Sequence, residues 1–251
     1  MIRRVLYSER PELWERIEDL SEQVWPEYNR HGDTLNQFWG RLYEVFPEFQ
    51  FVLHDDDSDE VLAEGHTIPC AWDGSEDDLP EGIDAVLADA FALHERGKSP
   101  NTLCALAVEI PPHHRRRRLS PQALGAMRQI ASEHGLRDLL APLRPNWKDR
   151  YPLNPIERYA RWRRDDGSLF DPWLRVHVQL GADVLKPAPR SLLITGSVGE
   201  WESWTGMAFP ETGTYVFPEG LAPVEIDRDA DQGRYWEPNI WVRHRVEAAG
   251  P

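Results

Sequence analysis

The sequence predicts an α/β fold with a mixed central sheet, flanking helices and a β-rich C-terminal part. Residues 101–110 form a nearly unbroken apolar run, which is typical of a strand buried on both faces. A helical pattern from Ser120 and a short apolar strand at 139–143 follow, so strand, helix and strand make one crossover unit. From residue 191 on, β-like segments alternate with glycine and proline.

The remaining elements follow from hydrophobic spacing and from turn residues. Ser120 is expected as a helix N-cap with Pro121 at the first helical position, and Gly135 as the stop of that helix. The expected helices are 11–25, 34–45, 82–96, 120–134, 156–164 and 172–180. The expected strands are 3–8, 50–53, 61–70, 101–110, 139–143, 191–197, 201–207, 214–217, 222–226 and 239–244.

Composition indicates one globular domain over residues 1–251, with a core of about 1–200 and a β-rich extension of about 201–245. Hydrophobic residues make up 41% of the chain and 11 are Trp, enough for a sizeable core. The first residues are too quickly charged for a signal peptide, and no apolar stretch is long enough for a membrane span. We therefore expect a cytoplasmic protein without membrane association. Cys70 and Cys104 lie in apolar strands and are expected as core thiols.

Charge is distributed unevenly along the chain. The net charge of -15 argues against general binding of nucleic acid, but residues 113–118 form one concentrated basic run, His-His-Arg-Arg-Arg-Arg. This run follows the buried strand and precedes the helix at Ser120, so it is a candidate anion site. The adjacent arginines oppose a divalent cation, and the sequence has no common metal, nucleotide or hydrolase motif, so no metal is expected.

The order of elements resembles the GNAT superfamily of N-acetyltransferases. In that family the loop after the fourth strand reads Q/R-x-x-G-x-G/A, and it opens a helix whose N–H groups hold the pyrophosphate of coenzyme A. Arg116 and Arg118 stand where the two glycines would lie. The resemblance implies acetyl-CoA or another acyl-CoA as donor, with backbone and side-chain contacts along the strand end and the loop. These contacts would come from Val108, Ile110, Arg115, Arg116, Arg117, Arg118, Leu119 and Ser120.

The arginine loop leaves three alternatives open. Guanidinium groups grip phosphate bidentately and could replace the backbone contacts of the glycine loop. The loop could instead take another donor, such as an acyl carrier protein or an aminoacyl-tRNA. Alternatively, the arginines are a solvated surface and the chain is a non-catalytic binding or regulatory protein.

The resemblance also implies the catalytic groups. Glu109, at the end of the buried strand, would take a proton from the acceptor amine, and His177 would protonate the departing thiolate. His177 lies four residues before Gly181, where the family has a Tyr. The structural alternatives are a strand-end carboxylate paired with the arginines and a packed helix histidine.

The acceptor is expected to be an amine of a small molecule. Polar residues after the strand at 139–143 and an aromatic, acidic set near the C-terminus are candidates for its pocket, although so many Trp side chains on strands are also typical of a core. The candidates are Arg144, Lys148, Tyr151, Trp201, Glu202 and Trp204. The oligomeric state is left open, with a homodimer among the alternatives.

Overall fold

A nine-stranded sheet forms the centre of the molecule in the computed structural model, which describes residues 1–115 and 117–247. Its strands are β1 (Ile2–Leu6), β2 (Gln50–Asp55), β3 (Glu60–Cys70), β4 (Thr102–Glu109), β5 (Asp138–Leu143), β6 (Asp183–Gly196), β7 (Gly213–Tyr215), β8 (Val224–Asp227) and β9 (Gln232–Arg245).

The strands follow the order β1-β2-β3-β4-β5-β9-β8-β7, and β6 also pairs with β9. Among the described strand pairs, only β4 and β5 are parallel, and the helix at Leu119–Glu133 connects them; the other pairs are antiparallel. The predicted mixed sheet is therefore confirmed. Because β9 pairs with β5, the C-terminal strands belong to the same sheet as the rest of the chain.

Helices cover the sheet. The α-helices are α1 (Leu20–Val24), α2 (Leu35–Phe38), α3 (Arg41–Val45), α4 (Ile83–Glu95), α5 (Leu119–Glu133), α6 (Ile156–Tyr159), α7 (Pro172–Gln179) and α8 (Val198–Thr205). Short 3-10 turns lie at Pro11–Arg16, Glu27–His31, Pro47–Phe49, Pro112–His114 and Lys148–Arg150.

The two long helices predicted before β2 are wrong, because the chain forms short helical pieces there. Within 11–25, the helical pieces bury only Leu13 and Leu20, so no continuous apolar stripe holds one helix together. Between α2 and α3, Gly40 weakens the helix that 34–45 was expected to form. The helix predicted at 156–164 also ends early, at Tyr159.

The strand predicted at 201–207 is wrong as well, because residues 201–205 lie in α8. Ser197 and Glu200 form a reciprocal capping box that starts a helix, and Gly206 ends it in a left-handed conformation with φ of 66°. The predicted strand at 214–217 is observed as the shorter β7. Local capping chemistry outweighs the β-propensity of the tryptophans in this segment.

The start of α5 also differs from the prediction. Arg118, with φ of 55° and ψ of 41°, is the N-cap, and its side chain makes no capping hydrogen bond; Ser120 lies inside the helix. Gly135, at φ of 69°, follows the helix as predicted.

The core extends on the faces of the central strands. Leu103 and Cys104 on β4 are fully buried, and both cysteines are buried free thiols, as predicted. Within the described residues, none of the helices is both long and apolar enough to cross a bilayer.

Candidate active site

The two parallel strands of the sheet separate into a V. β4 and β5 pair only at their first three positions, from Thr102 with Asp138 to Cys104 with Leu140, although both strands continue. Farther on, β5 keeps its pairing with β9 alone. One edge of β4 is thus left without a neighbouring strand, and Ala107 and Val108 are half-exposed there.

A bulge in β4 sets the direction of the side chains along this open edge. His66 pairs with Ala107 and Thr67 pairs with Ala105, so Leu106 is an extra residue without a partner in β3. After the bulge, Glu109 pairs with Glu64. Side chains alternate between faces, so Glu64, His66 and Glu109 share one face at the open end of the V.

These three side chains form a tight, buried cluster. One ligand atom from each lies within 4.8 Å of the others, and the residues are 5%, 1% and 3% exposed. His66 Nε2 lies 3.4 Å from Glu64 Oε1. We call this group the carboxylate cluster.

Aromatic residues from the N-terminal helical segments surround the carboxylate cluster. The ring N–H of Trp14 and the hydroxyl of Tyr43 donate to Glu64 Oε1 at 2.5 and 2.7 Å. The ring N–H of Trp25 donates to Glu109 Oε1 at 2.6 Å. The ring of Trp39 lies 4.6 Å from that of His66, measured between centroids. Each of these four aromatic residues is itself only half-buried.

The two carboxylates have different pKa values. Burial raises the pKa of Glu109, and the negative charge of Glu64 raises it further. Burial also opposes ionisation of Glu64, but His66 and the donors outweigh it, so the pKa of Glu64 is below its ordinary value. Burial lowers the pKa of His66, yet Glu64 outweighs burial and the pKa is raised. Glu109 is therefore the better proton acceptor of the two.

The basic loop lies beside the acidic β2–β3 hairpin. His114 Nε2 lies 3.3 Å from Glu60 Oε1, and Arg117 lies 3.7 Å from Asp55 and 3.8 Å from Glu60. Arg115, Arg117 and Arg118 are exposed, and Arg116 lies outside the described residues. The loop is thus partly neutralised by the hairpin, which the sequence analysis did not anticipate.

The N-terminus of α5 still offers anion-binding groups. No side chain caps the helix, and among the described residues no acceptor bonds the backbone N–H of Leu119 or Ser120. These donors lie at the positive end of a 15-residue helix. The residues therefore fit a phosphate group, bound by backbone N–H donors and flanked by the Arg118 side chain.

The residues after β5 form a braced network with β9. Arg144 Nε donates to Glu237 Oε1 at 2.5 Å, and Arg144 also donates to the hydroxyl of Tyr28 at 2.9 Å. Tyr235 donates to Glu237 Oε2 at 2.6 Å. We call this group the arginine network.

Lys148 and Tyr151 lie near this network and are tied to the fold. Lys148 is fully buried and donates to the carbonyls of Tyr151 and Leu221. Burial lowers the pKa of Lys148 to about 8. Tyr151 packs against Tyr159, Trp162 and Phe170.

The C-terminal aromatic residues predicted for the acceptor pocket are packed into the fold. Trp201 is completely buried and packs against Tyr28 and Phe217. Glu202 accepts from the backbone of Phe209, and Trp204 stacks on His31. None of these contacts involves the carboxylate cluster.

Glu109 and His177 lie in different side-chain clusters. His177 is 1% exposed, and its Nδ1 lies 2.9 Å from Nε2 of His244. His244 pairs with Leu139, which pairs with Leu103 near the start of β4. Glu109 lies six residues farther along β4, at the open end of the V.

The sequence analysis missed Glu64 and His66. Both lie in a segment that was correctly predicted as a strand, and the signal was their spacing. Charged or titratable residues at positions i and i+2 of an apolar strand point to one face and are rarely buried without a reason.

An acyltransferase-type site is defined by three features together. They are the V between two parallel strands, the buried carboxylate at its open end and the uncapped helix that follows. No protein-family model matches the chain. The arginine N-acetyltransferase avaD of Aspergillus versicolor is 30% identical over 269 residues, covering 94% of this chain and 91% of that protein.

Two solved structures match the fold over 98% of this chain at 16% identity. One is the loading GNATL domain of CurA from Lyngbya majuscula, which has a TM-score of 0.60 and is covered over 98% of its own chain. The other is the GphF GNAT-like decarboxylase in complex with isobutyryl-CoA, which has a TM-score of 0.59 and is covered over 100% of its own chain. The chain belongs to the GNAT superfamily of N-acetyltransferases. It is an N-acyltransferase, which transfers an acyl group to an amine.

Proposed function

We propose that this enzyme takes the acyl group, acetyl in the simplest case, from a coenzyme A thioester and transfers it to an arginine-type small molecule. The position of Glu109 carries the proposal: a buried carboxylate with a raised pKa at the open end of the V. Membership of the superfamily supports the donor, and the name of the relative from Aspergillus versicolor supports the class of acceptor.

Two parts of the chain bind the donor, one at its phosphates and the other at its thioester. Leu119 and Ser120 bind phosphate through backbone N–H groups, with Arg115, Arg117 and Arg118 adding positive charge around them. The open edge of β4 at Val108 to Ile110 offers backbone N–H to the thioester oxygen as negative charge develops there.

Glu109 acts as the base. The thioester supplies an activated carbonyl; the acceptor nitrogen forms a bond to that carbon, and the bond from carbon to sulfur breaks. Glu109 takes the proton that the nitrogen loses, while the thiolate leaves and is protonated by solvent. His177 has no part in this step, and no metal is required.

The test is a coupled measurement with acetyl-CoA and arginine. Thiol release and acetylated product should appear in equal amounts, and they should persist in the presence of a chelator. In a thermal-shift assay, coenzyme A alone should raise the unfolding temperature, and the stabilisation should grow with the logarithm of one plus the ratio of ligand concentration to Kd. Absence of both product and stabilisation at millimolar ligand would refute the proposal, and activity only with an acylated carrier protein would replace the donor.

A further inference from the structure

The carboxylate cluster contains more negative charge than positive. Glu64 and Glu109 are both nearly inaccessible to water, and His66 is the only titratable base among the three residues. Across the described parts of the chain, neither carboxylate forms an ion pair with a Lys or Arg. A buried carboxylate is costly unless it is paired with a cation, so this arrangement requires an explanation.

The hydrogen-bond donors to these carboxylates are uncharged groups. Trp14, Trp25 and Tyr43 supply neutral N–H and O–H groups, which partly satisfy the oxygens but do not balance their charge. In addition, Nδ1 of the buried His66 ring has no hydrogen-bond partner within residues 1–115 and 117–247. An unsatisfied polar atom at a charge-imbalanced cluster points to a group that binds there.

The surroundings favour a flat cation. The half-buried rings of Trp14, Trp25, Trp39 and Tyr43 line the cluster and can contact a cation through their faces. A guanidinium is planar and carries five N–H donors, so it can bond a carboxylate through two parallel hydrogen bonds and stack on a ring, whereas a primary ammonium has three donors and no plane.

An acidic cleft lies close in sequence to the end of β4 and can attract such a cation. It has a volume of about 430 Å³ and lies between the N-terminal helical segments, the β2–β3 hairpin and the start of the basic loop. Its lining includes Glu15, Glu18, Asp19, Asp59 and Glu60 against Arg16 and His113, and Pro111 on its wall lies two residues beyond Glu109. Exposed carboxylates around a cleft raise the local concentration of cations.

We propose that Glu64, with the surrounding aromatic rings, binds the guanidinium group of the acceptor and is a specificity-determining residue, while Glu109 stays available to the nitrogen that is acylated. This inference rests on the proposed function, because it assigns the acceptor's position in the same site. Binding requires Trp14, Trp25 and Tyr43 to give up their hydrogen bonds to the carboxylates, so these side chains move when the acceptor enters.

The experiment compares arginine with citrulline, which has the same length and α-amine but a neutral urea in place of the guanidinium. Michaelis constants and kcat are measured for both in the wild type, in Glu64→Gln and in the control Glu44→Gln. Glu44 is exposed and adjacent to Tyr43 in sequence, so its replacement leaves the cluster intact. Calorimetry with each amino acid alone is run on the same three proteins.

We expect Glu64→Gln to raise the KM and the Kd for arginine by on the order of 10- to 100-fold, since a charged hydrogen-bond partner is lost. The KM and the Kd for citrulline should change much less in Glu64→Gln. The control Glu44→Gln should match the wild type for both amino acids. Equal effects on the two amino acids, or no effect in a folded variant, would overturn the inference. If acyl transfer fails altogether, the proposed function fails, and the calorimetry still decides where the guanidinium binds.

Discussion

Glu237 on β9 and Glu64 on β3 are buried to nearly the same degree, 2% and 5% exposed, but among the described residues Glu237 is paired with an arginine, whereas the base beside Glu64 is a histidine. In the arginine network, Arg144 neutralises Glu237 and two tyrosines complete the hydrogen bonds. In the carboxylate cluster, aromatic donors and one histidine face two carboxylates. The first arrangement is complete within the chain, whereas the second lacks a positive charge that a substrate can supply.

This difference separates a structural role from a functional one. A compensated buried ion pair fixes the geometry of the loop after β5, because removing either partner leaves an isolated charge. An uncompensated cluster costs stability in the absence of ligand, and such costs are typical of active sites. Substitutions should therefore affect catalysis at one site and stability at the other.

The largest effect is expected for Glu109→Gln. The amide cannot accept the proton of the acceptor, so kcat should fall by about 10²- to 10⁴-fold. The free energy of unfolding should stay the same or rise, since one of two like charges is removed. Steady-state kinetics and urea unfolding measure the two quantities, and a variant that loses stability but keeps kcat would reverse the assignment.

The wild-type pH profile provides an internal check on the same residue. Because the pKa of Glu109 is raised, kcat/KM should fall on the acidic side with an apparent pKa above 4.5. This acidic limb should disappear in Glu109→Gln, and its persistence there would assign the base to another group.

The next effect is expected at the arginine network. Arg144→Met leaves Glu237 buried without its cation and should lower the free energy of unfolding by about 3–5 kcal/mol. Glu64→Gln, which removes a carboxylate with no Lys or Arg partner among the described residues, should change it by less than about 1 kcal/mol. Chemical denaturation of both variants gives the comparison. Equal losses would show that the two clusters are both structural.

A smaller effect is expected from two groups of histidines with opposite pKa shifts. Burial lowers the pKa of His177 to about 3 and that of His244 to about 4. The unfolded chain therefore binds protons that the folded chain excludes, and stability should fall as the pH drops below about 6.5, by at most about 1.4 kcal/mol per pH unit for each histidine. His66 has a raised pKa, so its contribution is present below 6.5 and is lost as the pH rises through its folded value.

Urea unfolding at pH 7.5, 6.0 and 5.0 measures how the free energy of unfolding falls as the pH drops, with His177→Leu as the comparison. The variant should lose less stability between pH 6.0 and 5.0 than the wild type. A wild-type midpoint that is constant over this range would contradict the assignment of a neutral histidine pair.

The sheet could be predicted because apolar runs such as 101–110 identify its strands directly. The position of Glu109 followed from the end of that strand. The helices before β2 could not be predicted, since their boundaries depend on tertiary contacts rather than on a continuous apolar stripe. Helix α8 was missed because Ser197 and Glu200 were not recognised as a capping box.

The carboxylate cluster could be predicted only in part. Pairing of β3 with β4, and the bulge at Leu106, bring Glu64 and His66 beside Glu109. Sequence spacing within one strand does not reveal the register against another strand. The same limit explains His177, which has suitable chemistry but lies at the other end of the β4–β5 pair.

The most direct test is a crystal structure with arginine and a non-reactive coenzyme A analogue bound. The guanidinium should lie within hydrogen-bonding distance of Glu64, and the α-amine should lie on the side of Glu109, with Trp14 or Trp25 displaced from the carboxylate that it contacts in the free protein. A guanidinium bound at the arginine network, or only among Glu15, Glu18 and Asp59 in the acidic cleft, would contradict the distinction between the two clusters.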